Sequence, residues 1–156
     1  MSAPRPISIR SASSADVPAL VQLLGELFAQ EVEFAPDPAA QEQGLRAILA
    51  DPQLGRVFVA RAADDSGPVL GMANLLFTIS TALGGRVALL DDFVVSSRAR
   101  GRGVGSALLE SLFRFAREAG LLRINLQTDL ENSGAQRLYE RHGFVRSSML
   151  LYSRSL

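Results

Sequence analysis

A glycine-rich stretch between a strand-like run and an amphipathic helix constrains this chain most. It occupies residues 100–106 and reads RGRGVGS. An apolar run at residues 87–95 precedes it, and residues 104–119 place apolar side chains at helical spacing. Glycines let the backbone turn sharply and approach a ligand closely, and the unpaired amides of a first helical turn attract anions. The stretch therefore predicts a phosphate or pyrophosphate site at a strand–loop–helix junction.

The composition favours one globular domain. The chain has 156 residues, of which 47% are hydrophobic, and its formal net charge is zero. A chain of this length and polarity can bury a proper core, so we predict one domain over residues 1–156. Zero net charge produces no field that would attract nucleic acid or an acidic membrane surface. We therefore expect neither nucleic acid nor a membrane as a partner.

Cysteine and histidine usage limits the chemistry further. The chain has no cysteine, and its one histidine is His142. A disulfide framework, a thiolate metal site and a cysteine nucleophile are excluded, and one imidazole argues against a His-rich metal site or a Ser-His-Asp triad. We therefore expect no metal. Neither a secretory leader nor an apolar run of about 18 residues is present, which predicts a cytoplasmic protein.

The spacing of apolar residues predicts the element order β-α-α-β-β-β-α-β-α-β-β. The last two strands are expected at residues 144–145 and 149–153. Helices separated by hairpins indicate an α/β architecture, namely a mixed sheet with helices on both faces. The strand–loop–helix unit around the glycines continues into another strand, so it predicts a right-handed parallel crossover.

Two adjacent carboxylates, Asp91 and Asp92, interrupt the apolar strand that precedes the glycines. Consecutive strand residues face opposite sides of a sheet, so at most one of them shares the core face unless a bulge intervenes. Burial of a carboxylate without a partner is costly. Either one of the two faces solvent or one lines a cleft.

Two motifs together resemble one known family. The first, Arg100-Gly101-Arg102-Gly103-Val104-Gly105, matches the pattern R/Q-x-x-G-x-G/A of the GNAT superfamily of N-acetyltransferases. The second, at residues 132–144, is similar to the family segment N-x-x-A-x-x-L-Y-x-x-x-G-F. The resemblance covers nearly the whole chain in element order, and its specific residues lie between Asp91 and Phe144. It implies a GNAT-like fold and an acetyl-CoA-dependent transferase.

The resemblance also implies which residues contact acetyl-CoA, the expected co-substrate. The pyrophosphate loop carries over to Arg100, Gly101, Arg102, Gly103, Val104, Gly105 and Ser106. In the family the preceding strand splays at a bulge and its backbone pairs with the pantetheine arm, a role that falls to Phe93, Val94 and Val95. The amide of Val94 or of its neighbour would polarise the thioester carbonyl. Asn132 and Tyr139 match the family's late-helix residues at the co-substrate.

The reaction requires a proton acceptor for the amine and a proton donor for the leaving thiolate. Tyr139 is the predicted acid, because the matching family tyrosine lies beside the sulfur of CoA. Asp91 is the predicted base, since it stands where some family members carry a strand glutamate that acts through water. Binding of the acceptor's ammonium and a structural role remain open for Asp91.

The acceptor is expected to be a primary amine of a small molecule or of a peptide, attacked directly in a ternary complex. Glu31, Glu33 and Asp92 are the predicted acceptor-binding residues. For the two glutamates there are two alternatives: they bind a cationic amine, or they belong to a solvated acidic loop. His142, in the last turn of the late helix, is expected to interact with the helix dipole. Homodimers are common in the family, so a homodimer is one arrangement that the resemblance allows.

Two other functions compete with this interpretation. In a Rossmann dinucleotide site the glycine loop follows the first strand, with an acidic residue about 20 positions later. Here the loop comes late, and the acidic residue at that distance, Glu118, lies inside the predicted helix. The second alternative is a non-catalytic acyl-CoA-binding sensor, which the presence of both Tyr139 and Asp91 disfavours.

Overall fold

The computed structural model describes residues 6–31, 33–62 and 66–156. In this part of the chain, one sheet has the strand order β1-β2-β3-β4-β5. Its strands are β1 (Ile7–Ser11), β2 (Gly55–Ala62), β3 (Val69–Ser80), β4 (Gly85–Val95) and β5 (Ile124–Leu126). The first four pair antiparallel in sequence order, whereas β4 and β5 are parallel. The prediction of a mixed sheet is confirmed.

Helices cover both faces of the sheet, as predicted. They are α1 (Val17–Phe28), α2 (Pro38–Ala50), α3 (Val104–Glu118) and α4 (Ser133–Arg141). Apolar residues of α1 and α2, such as Leu20 and Leu45, form one core cluster with Val94 of β4. Leu108 of α3 and Tyr139 of α4 belong to a second cluster on the opposite face. The sheet is therefore the middle layer of three.

Asp16 joins the first strand to the first helix. Its carboxylate is 2% exposed and accepts from Arg10 at 2.8 Å and from Arg61 of β2 at 3.0 Å. The amide of Ser13 also donates to it, in a capping box that begins the helical segment. The hydrogen bond from Arg10 is the largest cause that holds the pKa of Asp16 well below its usual range.

A bulge interrupts the pairing of β3 with β4. The pairs on either side of it are Ala73 with Phe93 and Leu75 with Leu90. One residue of β3, Asn74, therefore stands opposite two residues of β4, Asp91 and Asp92. An extra residue in one strand breaks the strict alternation of side chains between the two faces. The carboxylate pair, expected to be divided between the two faces of the sheet unless a bulge intervened, lies at this bulge.

Strands β4 and β5 part soon after they pair. Their ladder has three steps, of which the last joins Leu90 to Leu126. Beyond Leu90, within the described part of the chain, β4 pairs only with β3. The second half of β4 therefore has one backbone edge open toward the side on which α4 lies.

The two strands predicted at the C-terminus are wrong. Residues 144–156 contain no strand, and the chain after Phe144 is exposed. A strand exists only in a ladder with a neighbour, and this segment runs into solvent without pairing with β5. The alternation that suggested strands is real, but nothing within this chain's described residues completes the ladder. The observed order is β-α-α-β-β-β-α-β-α, apart from two short 3-10 turns.

Candidate active site

The glycine loop turns sharply where the sequence predicted it. Gly101 and Gly103 have φ of 73° and 79°, and open space surrounds the position of a Cβ on each. These are left-handed conformations that glycine adopts without strain. Gly103 is the N-cap of α3, so the amides of the first turn of α3 have no intrahelical partner. The loop presents unpaired N–H groups and the positive end of a helix dipole, which suit a pyrophosphate.

Two flanking residues join this region to neighbouring elements, one to the end of β4 and the other to α1. The Nε of Arg100 donates to the carbonyl of Val95 at 3.4 Å. The amide of Ser97, in the turn between β4 and the loop, donates to the carboxylate of Glu26 in α1 at 3.1 Å. Arg102 is exposed beside the glycines. The arginines therefore differ, since one contacts the strand and the other reaches into solvent.

Gly105 allows close packing of three elements. A Cβ on this residue would lie 3.1 Å from Leu138 of α4, 3.6 Å from Phe93 and 3.7 Å from Val95 of β4. The absence of a side chain lets α3 approach both α4 and the open half of β4. The third glycine of the motif thus serves helix packing, and the first two serve the turn.

The open edge of β4 presents the backbone of two particular residues. The amide of Asp92 donates to the side chain of Asn74, and that of Ser96 donates to the carbonyl of Leu70 in β3. Amides alternate in direction along a strand, so the amide of Val94 also faces β3. Those of Phe93 and Val95 face the opening between β4 and β5.

Tyr139 lies on the far side of this opening. It is 8% exposed, and its ring packs edge-to-face on Phe93 and on Phe144, with centroids 5.8 Å apart in each pair. Burial raises the pKa of Tyr139 to about 12. The phenol is therefore protonated at neutral pH, as a proton donor must be. The structure brings the predicted acid next to the strand predicted to hold the thioester.

Asn132 and His142 stand at the two ends of α4. Asn132 is its N-cap, and its side-chain oxygen accepts from the amide of Ala135 at 3.1 Å. His142 follows the last helical residue, and its Nδ1 lies 2.9 Å from the carbonyl of Leu138. His142 thus occupies the helix end where the sequence placed it and caps the last turn.

A pocket of about 310 Å³ opens on the opposite face of β4, between the sheet and the first two helices. Its apolar wall consists of Leu24, Phe28, Phe34, Ala35, Ala40, Leu45 and Ile48. Three carboxylates line it, Asp37, Asp91 and Asp92, together with the amides of Gln41 and Asn74. No arginine is among the residues that line it. The bulge places both adjacent aspartates on one pocket, which strict alternation would forbid.

Asp92 is the more deeply held member of the pair. Asn74, which is 1% exposed, donates its side-chain N–H to Asp92 at 2.7 Å and accepts from the Asp92 amide at 2.8 Å. Burial and the neighbouring charge of Asp91 raise the pKa of Asp92 to about 6, against the opposing effect of this hydrogen bond. Burial also raises the pKa of Asp91, whose side chain is more exposed.

Glu31 belongs to the same acidic region. Burial is the largest cause that raises the pKa of Glu31. Neighbouring negative charges raise it further, those of Asp129, Asp92, Asp91 and Glu33. Glu33 is exposed, and neither glutamate lines the pocket itself. Of the three predicted acceptor-binding residues, the structure thus brings Asp92 into the pocket, Glu31 near it and Glu33 to its periphery.

Sequence reasoning missed two residues of this region. Asn74 is one polar residue in a long apolar strand, and its partner depends on the position of a bulge that no pattern specifies. A polar residue at a buried strand position could have marked it, because such groups require a partner. Glu26 is the other, because its bond to Ser97 joins residues 71 positions apart, and no local pattern indicates such a contact.

Among residues 6–31, 33–62 and 66–156, no group of three or more His, Cys, Asp and Glu side chains is arranged to hold a metal ion. None of the helices in that same part of the chain is long and apolar enough to cross a bilayer.

Comparison with known proteins identifies a family for this chain. Residues 18–144 match the acetyltransferase (GNAT) family. An uncharacterised N-acetyltransferase, YhfO of Bacillus subtilis (strain 168), is 31% identical over 138 residues, which cover 88% of this chain and 89% of the relative. The aminoglycoside N(6')-acetyltransferase type 1 of Stenotrophomonas maltophilia is 31% identical over 150 residues, with 94% and 92% covered. The aminoalkylphosphonate N-acetyltransferase of Salmonella typhimurium is 29% identical over 139 residues, with 89% and 85% covered.

Solved structures have the same architecture. An integron cassette protein from the mobile metagenome of Cole Harbour Salt Marsh superposes with a TM-score of 0.79 at 31% identity, covering 95% of this chain and 90% of that one. A probable acetyltransferase superposes with a TM-score of 0.81 at 24% identity, covering 96% and 97%, a likeness that concerns the fold alone. With its glycine loop, its parted strands and these relatives, the chain belongs to the GNAT family of N-acetyltransferases, enzymes that use acetyl-CoA as co-substrate.

Proposed function

We propose that this protein transfers the acetyl group of acetyl-CoA directly to a primary amine in a ternary complex. One observation carries the proposal. The half of β4 that is open toward α4 ends at the glycine loop and begins at the bulge that holds Asp91 and Asp92. An extended thioester along this edge has an anion site at one end and carboxylates at the other.

Acetyl-CoA binding is assigned to the loop and the open strand. The residues of the cradle are Arg100, Gly101, Arg102, Gly103, Val104, Gly105 and Ser106, whose amides and guanidinium groups face the diphosphate. The pantetheine arm pairs with β4 through Phe93 and Val95, since their amides face the opening. Val94 contributes its side chain to the core on the other face. Asn132 orients this wall of the site by capping α4.

The amide of Phe93 is the proposed donor to the thioester oxygen. It is the first backbone amide after the bulge that points into the opening, and it lies on the residue whose ring touches Tyr139. A preorganised donor at a developing oxyanion contributes about 10²–10³ in rate. This assignment chooses the neighbour of Val94 over Val94 itself.

Proton transfer is assigned to the carboxylate pair and to Tyr139. The neutral amine attacks the carbonyl carbon, a C–N bond forms, and the C–S bond breaks. One aspartate of the pair, Asp91 or Asp92, accepts the proton that leaves nitrogen, directly or through water. The phenol of Tyr139 donates a proton to the departing sulfur. The products are an N-acetylated amine and free CoA.

The acceptor is proposed to be a cationic amine with an apolar portion and without an acidic group. Carboxylates and aromatic or aliphatic side chains line the pocket, and no arginine lines it to neutralise a second acid. Glu31 adds negative charge beside it, and Glu33 lies further out. Two of the relatives have names that specify an acceptor, and the lining favours an acceptor resembling an aminoglycoside over one resembling an aminoalkylphosphonate.

A panel of amines tests both the activity and the acceptor class. CoA release would be followed with a diamine, an aminoglycoside, an aminoalkylphosphonate, an α-amino acid and a short peptide. We expect kcat/KM for the acceptors without an acidic group to exceed that for the acid-bearing ones by about tenfold or more. A reversed order contradicts the acceptor class. Acetyl-CoA binding without turnover on any amine supports the non-catalytic sensor.

The C-terminal segment supports a homodimer, which we propose as the assembly. After Phe144 the described chain leaves six large apolar side chains in solvent, at Val145, Met149, Leu150, Leu151, Tyr152 and Leu156. Met149 and Tyr152 are 85% and 87% exposed. Strand β5 has one edge without a partner strand among the described residues. Because an unpaired edge is a template for another strand, the segment of a second copy is the proposed partner of β5.

Cysteine-free chains allow a direct test of this assembly. One variant carries Asn125→Cys in β5 and another carries Leu150→Cys, and the two are mixed before mild oxidation. A disulfide between the two different chains is expected. A monomer by light scattering at micromolar concentration contradicts the proposal. A third variant carries both substitutions in one chain, and a disulfide that forms only within this chain also contradicts it.

A further inference from the structure

Asp92, the second residue of the carboxylate pair, is hydrogen-bonded to Asn74 on the neighbouring strand β3. Asn74 and Asp92 exchange two hydrogen bonds, one to the carboxylate at 2.7 Å and one from the backbone amide at 2.8 Å. Asn74 is buried, at 1% exposure, and both of its side-chain polar atoms are engaged with this one residue. The amide group therefore fixes the side chain and the backbone of Asp92 together.

The two hydrogen bonds between Asn74 and Asp92 form a clamp, which replaces one missing backbone pair in the ladder between β3 and β4. The pairing of β3 with β4 is regular up to Phe93 on one side and resumes at Leu90 on the other. At the bulge the backbone of β4 lacks a regular partner, and the side chain of Asn74 supplies the acceptor that a β3 carbonyl would otherwise provide. The bulge is thus held open in one geometry, with Asp92 directed to the pocket.

We propose that Asn74 is a positioning residue for proton transfer, and that it acts by orienting Asp92 as the proton acceptor of the reaction. This inference rests on the proposed acetyl transfer and deepens it. Asn74 donates to one carboxylate oxygen, which leaves the other oxygen of Asp92 available to the amine or to an intervening water. Asp91, on the exposed side of the bulge, has no such clamp among the described residues and serves acceptor binding.

Burial is the largest cause that raises the pKa of Asp92, and the charged groups that face this side chain act in the same direction. Asp91 adjoins it in β4, Asp37 at the start of α2 lines the same pocket, and Glu31 lies after α1. No arginine lines this pocket, so these neighbours disfavour the ionised form of Asp92. The hydrogen bond from Asn74 is the contact that favours it.

Three variants separate orientation from simple stability. Asn74→Ala removes both hydrogen bonds, and Asn74→Asp keeps an acceptor for the backbone amide but replaces the donor with a charge. Ser80→Ala is the matched control, because Ser80 is also buried in β3 and its hydroxyl also accepts a backbone amide, from Leu83 in the hairpin turn. All three are expected to fold with reduced stability.

The first measurement is the titration of the Asp92 carboxyl carbon by NMR. Loss of a hydrogen bond to a charged group in Asn74→Ala is expected to raise the pKa of Asp92 by about one unit. Asn74→Asp is expected to raise it more, and Ser80→Ala to leave it unchanged. An unchanged titration in Asn74→Ala would overturn the clamp whether or not any amine is acetylated.

The second measurement is a double-mutant cycle in kcat. Asn74→Ala is expected to lower kcat on the order of 10-fold to 100-fold. It is also expected to move the acidic limb of the pH–rate profile to higher pH. The same change in an Asp92→Asn background is expected to lower kcat less than about threefold, because the carboxylate that Asn74 orients is already absent. Additive losses would overturn the inference while leaving acetyl transfer intact. A wild-type protein without turnover would instead overturn the proposed function, and the positioning role with it.

Discussion

Tyr139 and Phe93 meet edge-to-face across the opening between β4 and β5, with ring centroids 5.8 Å apart and planes inclined by 69°. This contact joins α4 to the strand whose backbone is free on that side. It also places the ring of Tyr139, which is 8% exposed, against the residue whose amide we propose as the donor to the thioester. The proposed acid and the residue of the proposed donor are therefore in direct contact.

Replacement of Tyr139 by phenylalanine tests its role as an acid. We expect Tyr139→Phe to lower kcat by about 10²-fold, because the thiolate then leaves without a proton donor. The ring contacts with Phe93 and Phe144 remain, so the affinity for acetyl-CoA by calorimetry is expected to change little. Tyr152→Phe, in the exposed C-terminal segment, is the matched control. An unaltered rate for Tyr139→Phe at all pH values would exclude the phenol as the acid.

The glycine loop is tested with a pair of equivalent glycines. Gly103 in the loop and Gly84 in the β3–β4 turn both have positive φ, of 79° and 72°, and open space at the Cβ position. Gly103→Asp and Gly84→Asp therefore carry similar backbone strain. Only the first places a negative charge in the pyrophosphate cradle, so we expect it alone to weaken acetyl-CoA binding, by at least about tenfold. Equal affinities for the two variants, by calorimetry, contradict the cradle.

The carboxylate pair predicts a specific pH dependence. A base must be ionised to accept a proton, so kcat/KM is expected to rise with pH through about 6, the raised pKa of Asp92. Asp92→Asn should abolish this limb along with most of the activity. Asp91→Asn removes a neighbouring negative charge, so the limb should move to lower pH. If Asp91→Asn abolishes the limb and Asp92→Asn does not, Asp91 is the base.

The ion pairs of Asp16 predict how stability depends on pH. Its pKa is lowered on folding, so its contribution is present above the ordinary value of 3.8 and is lost as the pH falls below it. We expect Asp16→Asn to lower the free energy of unfolding at pH 7 by about 1–3 kcal/mol, because two partly exposed arginines lose a buried carboxylate partner. The difference from wild type, from urea titrations, should shrink at pH 3. Asp51→Asn, at an exposed helix end, is the control and should change stability far less.

The sequence predicted the parts of the site that depend on local pattern. The turn at Gly101 and Gly103 and the helix that follows require only the order of residues along the chain. The layers and the parallel crossover follow from periodicity and from general rules of connection. The position of Tyr139 near β4 followed from the family resemblance, and the structure agrees with it.

The pairing register of β3 with β4 could not be predicted from the sequence. The bulge opposite Asn74 moves Asp91 and Asp92 onto one pocket, and a strand pattern with strict alternation cannot place it. The direction of each β4 amide also depends on the pairing with β3, which selects Phe93 over Val94 for the opening. The C-terminal strands were predicted from alternation at Met149 and Tyr152, but a strand also needs a neighbour, which the described part of this chain does not supply.

The parting of β4 from β5 has a consequence for how the protein avoids aggregation. An unpaired strand edge ordinarily invites other chains. Here that edge lies beside α4, where the ring of Tyr139 packs on Phe93 and Leu138 lies next to Gly105. Covering an unpaired edge with a helix is one way in which proteins keep it from pairing with other chains. The opening in which we propose that the thioester binds is thus also a place where α4 shields a strand edge from neighbouring molecules.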